Sequence, residues 1–166
     1  GASAASDVYK RQQYNLKSIS DLENVASKLT AGTTFEFLNR EDGLLGLTKH
    51  YGFQFKDTLG LDGSTRYLAL NNNETDVLDA FSTDGLLKKF DLVTLEDDEN
   101  FFPPYYAIPL VRDDIVEEYP EIVPIIEELG SKLTDDIMME LNYKVDELQM
   151  EPDVVARDFL VENGFI

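Results

Sequence analysis

The sequence predicts an α/β domain built on a mostly parallel sheet and followed by carboxyl-terminal helices. Three observations carry this. Between residues 33 and 95, short β-prone runs alternate with short segments of helical spacing, the pattern of parallel βαβ units. Beyond residue 111 the β-prone runs stop and three helical patterns follow, each with its own start or stop signal. A chain of 166 residues also buries one real core without requiring a second domain.

Taken in order, the opening GASAASDVYKRQ, residues 1–12, is small and polar, then basic, and reads as a tag or artefactual segment. Residues 13–112 are expected to form the α/β unit and 113–166 the helices. Ser20, Asp21, Leu22 and Glu23 make a capping-box pattern, and Leu22, Val25, Ala26 and Leu29 recur on one face, so a helix is expected over about 21–29. Residues 33–38 are aromatic and β-prone, while 43–51 carry helical spacing and stop at Gly52, which suits a left-handed helix end. The alternation continues with 55–61 as strand, 64–70 as helix, 77–81 as strand, 83–89 as helix and 92–95 as strand; 107–111 give one more strand. Pro120 and Pro152 near helix starts, Thr134 as a cap, and Gly130 and Gly164 past helix ends delimit the terminal helices. Their apolar faces are Ile122, Ile125, Ile126 and Leu129, then Ile137, Met138 and Leu141, then Val155, Phe159 and Leu160.

Charge excludes more than it identifies. With 33 acidic against 14 basic residues the net charge is −19, which argues against a nucleic-acid partner, because phosphates need Lys and Arg to neutralise them. The same field weakly favours a small cation, although acidity of this kind commonly serves solubility alone. Without cysteine there is no disulfide framework, thiolate zinc site or thiol nucleophile. No apolar run approaches the roughly 18 to 20 residues that cross a bilayer, and the amino end lacks the apolar core of a signal peptide. The single histidine, His50, has no partner spacing for a metal or a Ser-His-Asp arrangement and is expected to be exposed. Glu96, Asp97, Asp98 and Glu99 lack the alternating ligands and central glycine of a calcium loop and read as a solvated turn. No carboxylate pair presents itself as general acid and base. The sequence therefore predicts no enzyme, no cofactor and no metal.

The most informative stretch is 79–106, DAFSTDGLLKKFDLVTLEDDENFFPPYY, which pairs an aromatic residue at a strand end with a proline-held aromatic cluster. Pro103 and Pro104 fix their own φ and push the preceding residue into an extended conformation, so Tyr105 and Tyr106 leave a stiff approach. Strand alternation sends these two rings to opposite faces, so only one can front a given site. With the upstream FEFLNREDGLLGLTKHYGF and the downstream LNYKVD, this stretch closely resembles the substrate-binding proteins of bacterial ABC importers for glycine betaine, carnitine and choline. The resemblance covers about 15–166.

The resemblance implies a type II periplasmic-binding-protein-like lobe. In that family two α/β lobes close on the ligand like a clamshell and the chain crosses between them twice. This sequence would retain the second lobe, the return crossover near 105–111, and the helices that pack on the first lobe, while lacking most of the first lobe itself. Those helices would then fold back or exchange with another copy, giving a homodimer through the carboxyl-terminal helices. The family's aromatic wall residues fall in the motifs matched by DAFSTD and FFPPYY, which places Phe81 and Tyr105 at a ligand site, with phenylalanine where tyrosine is common. Arg40 of FLNREDG matches an arginine that pairs with the ligand carboxylate in betaine-binding relatives; its alternative is a structural pair with Glu41, Asp42 or another of the chain's many carboxylates. Thr83 and Tyr106 are further candidates, the first more simply a helix-capping residue and the second core or hinge packing. The implied function is delivery of a quaternary ammonium osmolyte to a membrane permease, outside the cytoplasm, with an anchor or a permease fusion in the parent protein. The alternatives are a metabolite-sensing regulatory domain of the same fold and a non-binding dimeric lobe.

Overall fold

The computed structural model describes residues 2–166. Five strands form one sheet: β1 (Ala2–Asp7), β2 (Thr30–Thr33), β3 (Asp57–Gly60), β4 (Val77–Phe81) and β5 (Leu92–Thr94), in the spatial order β3-β2-β4-β1-β5. β2 lies parallel to both β3 and β4, and β1 runs antiparallel to both β4 and β5. Four strands therefore share one direction and β1 opposes them, a mostly parallel sheet. Its connections are α1 (Val8–Tyr14), α2 (Phe35–Asn39), α3 (Leu44–Tyr51), α4 (Thr65–Asn71) and α5 (Gly85–Lys89), with α6 (Asp113–Glu118), α7 (Ile122–Lys132), α8 (Asp135–Asp146) and α9 (Pro152–Glu162) completing the chain.

Several elements depart from the sequence reading. Residues 2–7 lie inside the domain, between β4 and β5, with Ala2 opposite Phe81 and Ala5 opposite Leu78 and Thr94. A row of small residues has no hydrophobic alternation to announce a strand, yet its backbone completes the ladder. The helix expected over 21–29 is instead two 3-10 turns, Ser20–Asn24 and Ala26–Lys28, and the acidic residue caps backward: Asp21 Oδ2 accepts from the N–H groups of Lys17 and Ser18. The strand expected over 33–38 ends at Thr33, because Thr34 caps α2, its Oγ1 accepting from Phe37 N at 3.2 Å. Residues 107–111 form no strand and pair with none of the five; 107–110 run exposed, with Leu110 at 94% exposure. α6 was not anticipated, whereas β4, α3 with left-handed Gly52 (φ 74°), and α8 with its Thr134 cap occupy their predicted places.

Alternation along β4 divides the core. Val77 joins Leu16, Ile19, Leu22, Leu44, Leu47 and Phe53 on one side of the sheet, while Leu78 and Ala80 join Tyr67, Leu70 and Leu87 on the other. Burying such a side chain contributes about 1.5–3 kcal/mol. Asp79 and Phe81 share the Val77 face and lie at its carboxyl end, which decides where the site forms.

α8 folds back onto α5. Lys88 pairs with Glu140, Lys89 with Glu147 at 2.8 Å, and Asn142 Nδ2 donates to Thr83 O at 2.8 Å. The approach is close because Gly85 has no side chain: a Cβ there would lie 2.6 Å from Tyr143 N and 2.7 Å from its Cα. α9 packs on α8 and buries Val155 and Phe159. α6 and α7 bury no residue fully, and Ile108, Leu110, Tyr119 and Ile125 stay exposed. Gly85→Ala is expected to lower unfolding stability by about 1–3 kcal/mol, the usual cost of overpacking a tight contact. Urea denaturation followed by circular dichroism measures this, and an unchanged midpoint would mean that α8 does not approach α5 so closely.

Candidate functional site

The carboxyl ends of β2, β3 and β4 lie side by side, the edge of a parallel sheet where ligands usually bind. Each strand hands the chain to a loop that contributes to one cavity. After β2, the carboxylate of Asp79 accepts hydrogen bonds from Thr34 N at 3.0 Å and Thr34 Oγ1 at 3.2 Å, which fixes the start of α2. α2 ends at Arg40, where the backbone turns extended and Gly43 N closes the turn on Arg40 O at 3.1 Å. The turn then meets α3 so tightly that a Cβ at Gly46 would lie 1.7 Å from Glu41 O. After β3, Asp62 accepts from Phe35 N. After β4 comes Phe81.

These loops enclose a cavity of about 220 Å³, lined by Thr34, Glu36, Phe37, Arg40, Asp42, Asp62, Arg66, Asp79, Phe81 and Tyr105. Phe81 and Tyr105 form its aromatic corner, with ring centroids 6.1 Å apart and planes at 74°. The two residues are 48% and 39% exposed, so neither ring is buried. Two devices place Tyr105. Its hydroxyl donates to Asp42 Oδ2 at 3.0 Å. Upstream, Asp97 accepts from Phe101 N at 3.0 Å and Phe102 N at 2.8 Å, and also from the Tyr51 hydroxyl, so the segment entering Pro103 and Pro104 is anchored at its root. Asp97 is thus a structural acceptor rather than part of a merely solvated turn. His50 is partly exposed and lies 3.2 Å from Glu99, with its ring against Tyr51 and Phe101.

Phe81 is held from behind by a buried charge network. Arg66 donates to Asp79 O at 2.9 Å and Gly63 O at 2.6 Å and lies 3.4–3.5 Å from the carboxylates of Asp84 and Asp79. Asp84 Oδ2 also accepts from Phe81 N at 3.2 Å and the Tyr67 hydroxyl at 2.7 Å. Burial pushes the Asp79 carboxyl upward, opposed by Arg66 and the two Thr34 donors. At the rim the balance reverses: Arg40 grips Asp42 and holds its carboxyl well below the usual range, at about 2. Desolvation, and then Asp42, raise the Tyr105 hydroxyl. A concave polar floor beside two partly exposed aromatic rings can hold a small solute, and nothing among its lining residues forms a nucleophile and base pair. Among the described residues no group of three His, Asp or Glu side chains is placed to hold a metal ion.

Of the residues singled out from sequence, Arg40, Phe81 and Tyr105 line this one cavity. Thr83 does not; its carbonyl faces α8 through Asn142. Tyr106 does not either and is 81% exposed. Arg40 makes the structural pairing weighed as its alternative, with Asp42 and with a further carboxylate, Glu36. Sequence reasoning missed Asp62, Arg66 and Asp79 and the anchoring role of Asp84, and it weighed Asp42 only as a partner of Arg40. A signal existed for two of them: Asp79 interrupts an apolar strand and Arg66 an apolar helix face, and a charge in such a place demands a partner.

The fold and this geometry can be set beside known proteins. Residues 4–162 match the family described as the substrate binding domain of the ABC-type glycine betaine transport system. The chain belongs to this family. Members are substrate-binding domains, not enzymes. The carnitine transport binding protein OpuCC of Listeria monocytogenes is 38% identical over 93% of this chain and 50% of that protein. The ergothioneine transport permease/ergothioneine binding protein EgtU of Helicobacter pylori is 39% identical over 92% of this chain and 28% of that protein. Among solved structures, a glycine betaine/carnitine/choline ABC transporter matches with a TM-score of 0.90 at 34% identity, over 98% of this chain and 60% of the other. The chain thus spans about half the length of the binding protein it matches, and less of the permease relative. For this family member the Arg40–Asp42 pair gives a direct titration test. The carboxyl of Asp42 should titrate near 2, and in Arg40→Gln it should return toward the ordinary value of about 3.9. Because the folded value lies below the unfolded one, the pair's contribution is present above the ordinary carboxylate pKa and lost as pH falls through about 2. Carboxyl carbon NMR reads both values, and a normal pKa in the unaltered protein would contradict the pairing.

Proposed function

We infer that this chain is one lobe of the solute-binding component of an ABC importer for quaternary ammonium osmolytes, and that the cavity at the sheet edge receives the ammonium head. The observation that carries this reading is the Phe81–Tyr105 corner, two aromatic faces at 74° beside a carboxylate-rich floor. A quaternary ammonium has no N–H to donate, so ordinary hydrogen bonds cannot hold it, whereas ring faces and fixed negative charge attract it. Glycine betaine, carnitine, choline and ergothioneine, the ligands in the names of the family and its relatives, share that group.

Two walls do not close a cage. The remaining walls come from the other half of a longer protein, which also covers the apolar face left by Ile108, Leu110, Tyr119 and Ile125. Ligand would draw the two lobes together, and the closed form would dock on a membrane permease and release solute for uptake in osmoprotection. That places the domain on the outer side of the membrane, tethered by an anchor or by fusion to its permease. The double name of the Helicobacter pylori relative, permease and binding protein, accords with fusion. No described helix is long and apolar enough to cross a membrane.

The same exposed apolar face supports a second reading for the chain alone, in which two copies pair through the carboxyl-terminal helices. Light scattering at micromolar concentration separates the two: a dimeric mass favours pairing and a monomeric mass excludes it. Ligand titration followed by NMR tests the site. Saturable shifts around Phe81 and Tyr105 are expected with choline or glycine betaine, weakened about two- to thirtyfold in Tyr105→Ala, the range of a cation–π contact. Unchanged affinity in that variant would remove the ring from the site.

A further inference from the structure

We propose that the lobe selects carboxylate-free cations over zwitterions, because Arg40 is already neutralised by Glu36 and Asp42. The proposal rests on the cavity being an ammonium site and names the class of ligand that it takes. An arginine at a cavity mouth is ordinarily the receptor for a ligand carboxylate, since its planar fork donates to two oxygens at once. Here the fork is occupied. Arg40 Nε donates to Asp42 Oδ1 at 2.6 Å, one terminal nitrogen donates to the other oxygen of Asp42, and the second terminal nitrogen donates to Glu36 across one turn of α2. The guanidinium carries five N–H groups, of which these bonds use three, including the bidentate edge.

The charge balance points the same way. Arg40 with its two partners carries a net negative charge, and across the whole cavity four carboxylates, Glu36, Asp42, Asp62 and Asp79, face two guanidiniums, Arg40 and Arg66. A ligand carboxylate reaching Arg40 would have to displace Asp42 or approach it against Asp42 and Glu36. Displacing Asp42 also removes the acceptor of the Tyr105 hydroxyl and loosens the aromatic corner that holds the ammonium. A monocation bearing a hydroxyl in place of the carboxylate meets neither obstacle. It leaves the pair intact and gains from the excess negative charge. Glu36 and Asp42 are in this sense specificity-determining residues that act through Arg40.

The test is an NMR titration at low ionic strength with choline and with glycine betaine as probes, on the unaltered chain, on Glu36→Gln and on Asp42→Asn. Choline should bind about two- to fivefold more tightly than glycine betaine to the unaltered chain, the effect of one exposed charge contact. Both variants should bring the ratio toward one by tightening glycine betaine. The Tyr105 hydroxyl bonds to Asp42 and not to Glu36, so a shift in both variants reports the state of Arg40. A shift in Asp42→Asn alone would assign the effect to Tyr105 and overturn the proposal. Glycine betaine bound as tightly as choline, or tighter, would overturn it while leaving the ammonium site standing. Because this lobe supplies only part of the cage, both probes are taken to the limit of their solubility, and absence of any shift at Phe81 and Tyr105 there would overturn the ammonium site and this proposal together.

Discussion

The buried guanidinium of Arg66 is the fixture from which the site hangs. It sits 4.8 Å over the Tyr67 ring, with its N–H groups directed at the backbone of Asp79 and Gly63 and at two carboxylates. A buried cation alone would cost several kcal/mol, and so would the facing carboxylates; placed together they offset one another, and removing one member costs about 3–5 kcal/mol. Each carboxylate then does a second task. Asp79 receives the Thr34 cap that starts α2, at whose end Arg40 stands, and Asp84 receives the backbone N–H of Phe81 and the hydroxyl of Tyr67. Two loops from different strands are held in register by one cation between them.

The third loop uses the same physics without the cation. Asp97 collects the N–H groups of Phe101 and Phe102 and the hydroxyl of Tyr51, and the two prolines that follow stiffen the path to Tyr105. Tyr105 then returns to Asp42, and through it to Arg40. The aromatic corner is therefore closed from both sides by carboxylates that are already satisfied, so its geometry does not wait for a ligand. The mouth differs from the base: Arg66 and Asp79 are sheltered from water, whereas Arg40, Asp42 and Glu36 are open to it and correspondingly screened. Rigidity is placed beneath the aromatic corner and tunable charge at its rim.

What the sequence disclosed follows from how local each signal is. β4 and α3 were legible because an apolar run and a glycine stop are written in consecutive residues. A strand end and a diproline draw attention to Phe81 and to the Tyr105–Tyr106 pair, but the choice of Tyr105, and the placing of both rings at a site, comes from the family resemblance. Phe35 and Phe37 favour a strand where the structure has the short helix α2, while the Thr34 cap that decides the matter depends on Asp79, 45 residues distant. β1 left no pattern, since small residues carry no alternation. The pairing of Arg66 with Asp79 and Asp84 spans helix, strand and turn, and only the folded chain brings these residues together. The run 107–111 has strand composition but does not join the sheet, and composition alone does not make a strand.

The claim that the corner is preformed, and held by Arg66, is tested most directly by nuclear Overhauser contacts between the Phe81 and Tyr105 rings in the ligand-free protein and in Arg66→Met. The account predicts strong ring-to-ring contacts in the unaltered chain, and their loss in the variant while amide shifts across β2 and α3 remain in place. Contacts absent before any ligand is added, or undiminished in a folded Arg66→Met, would contradict it.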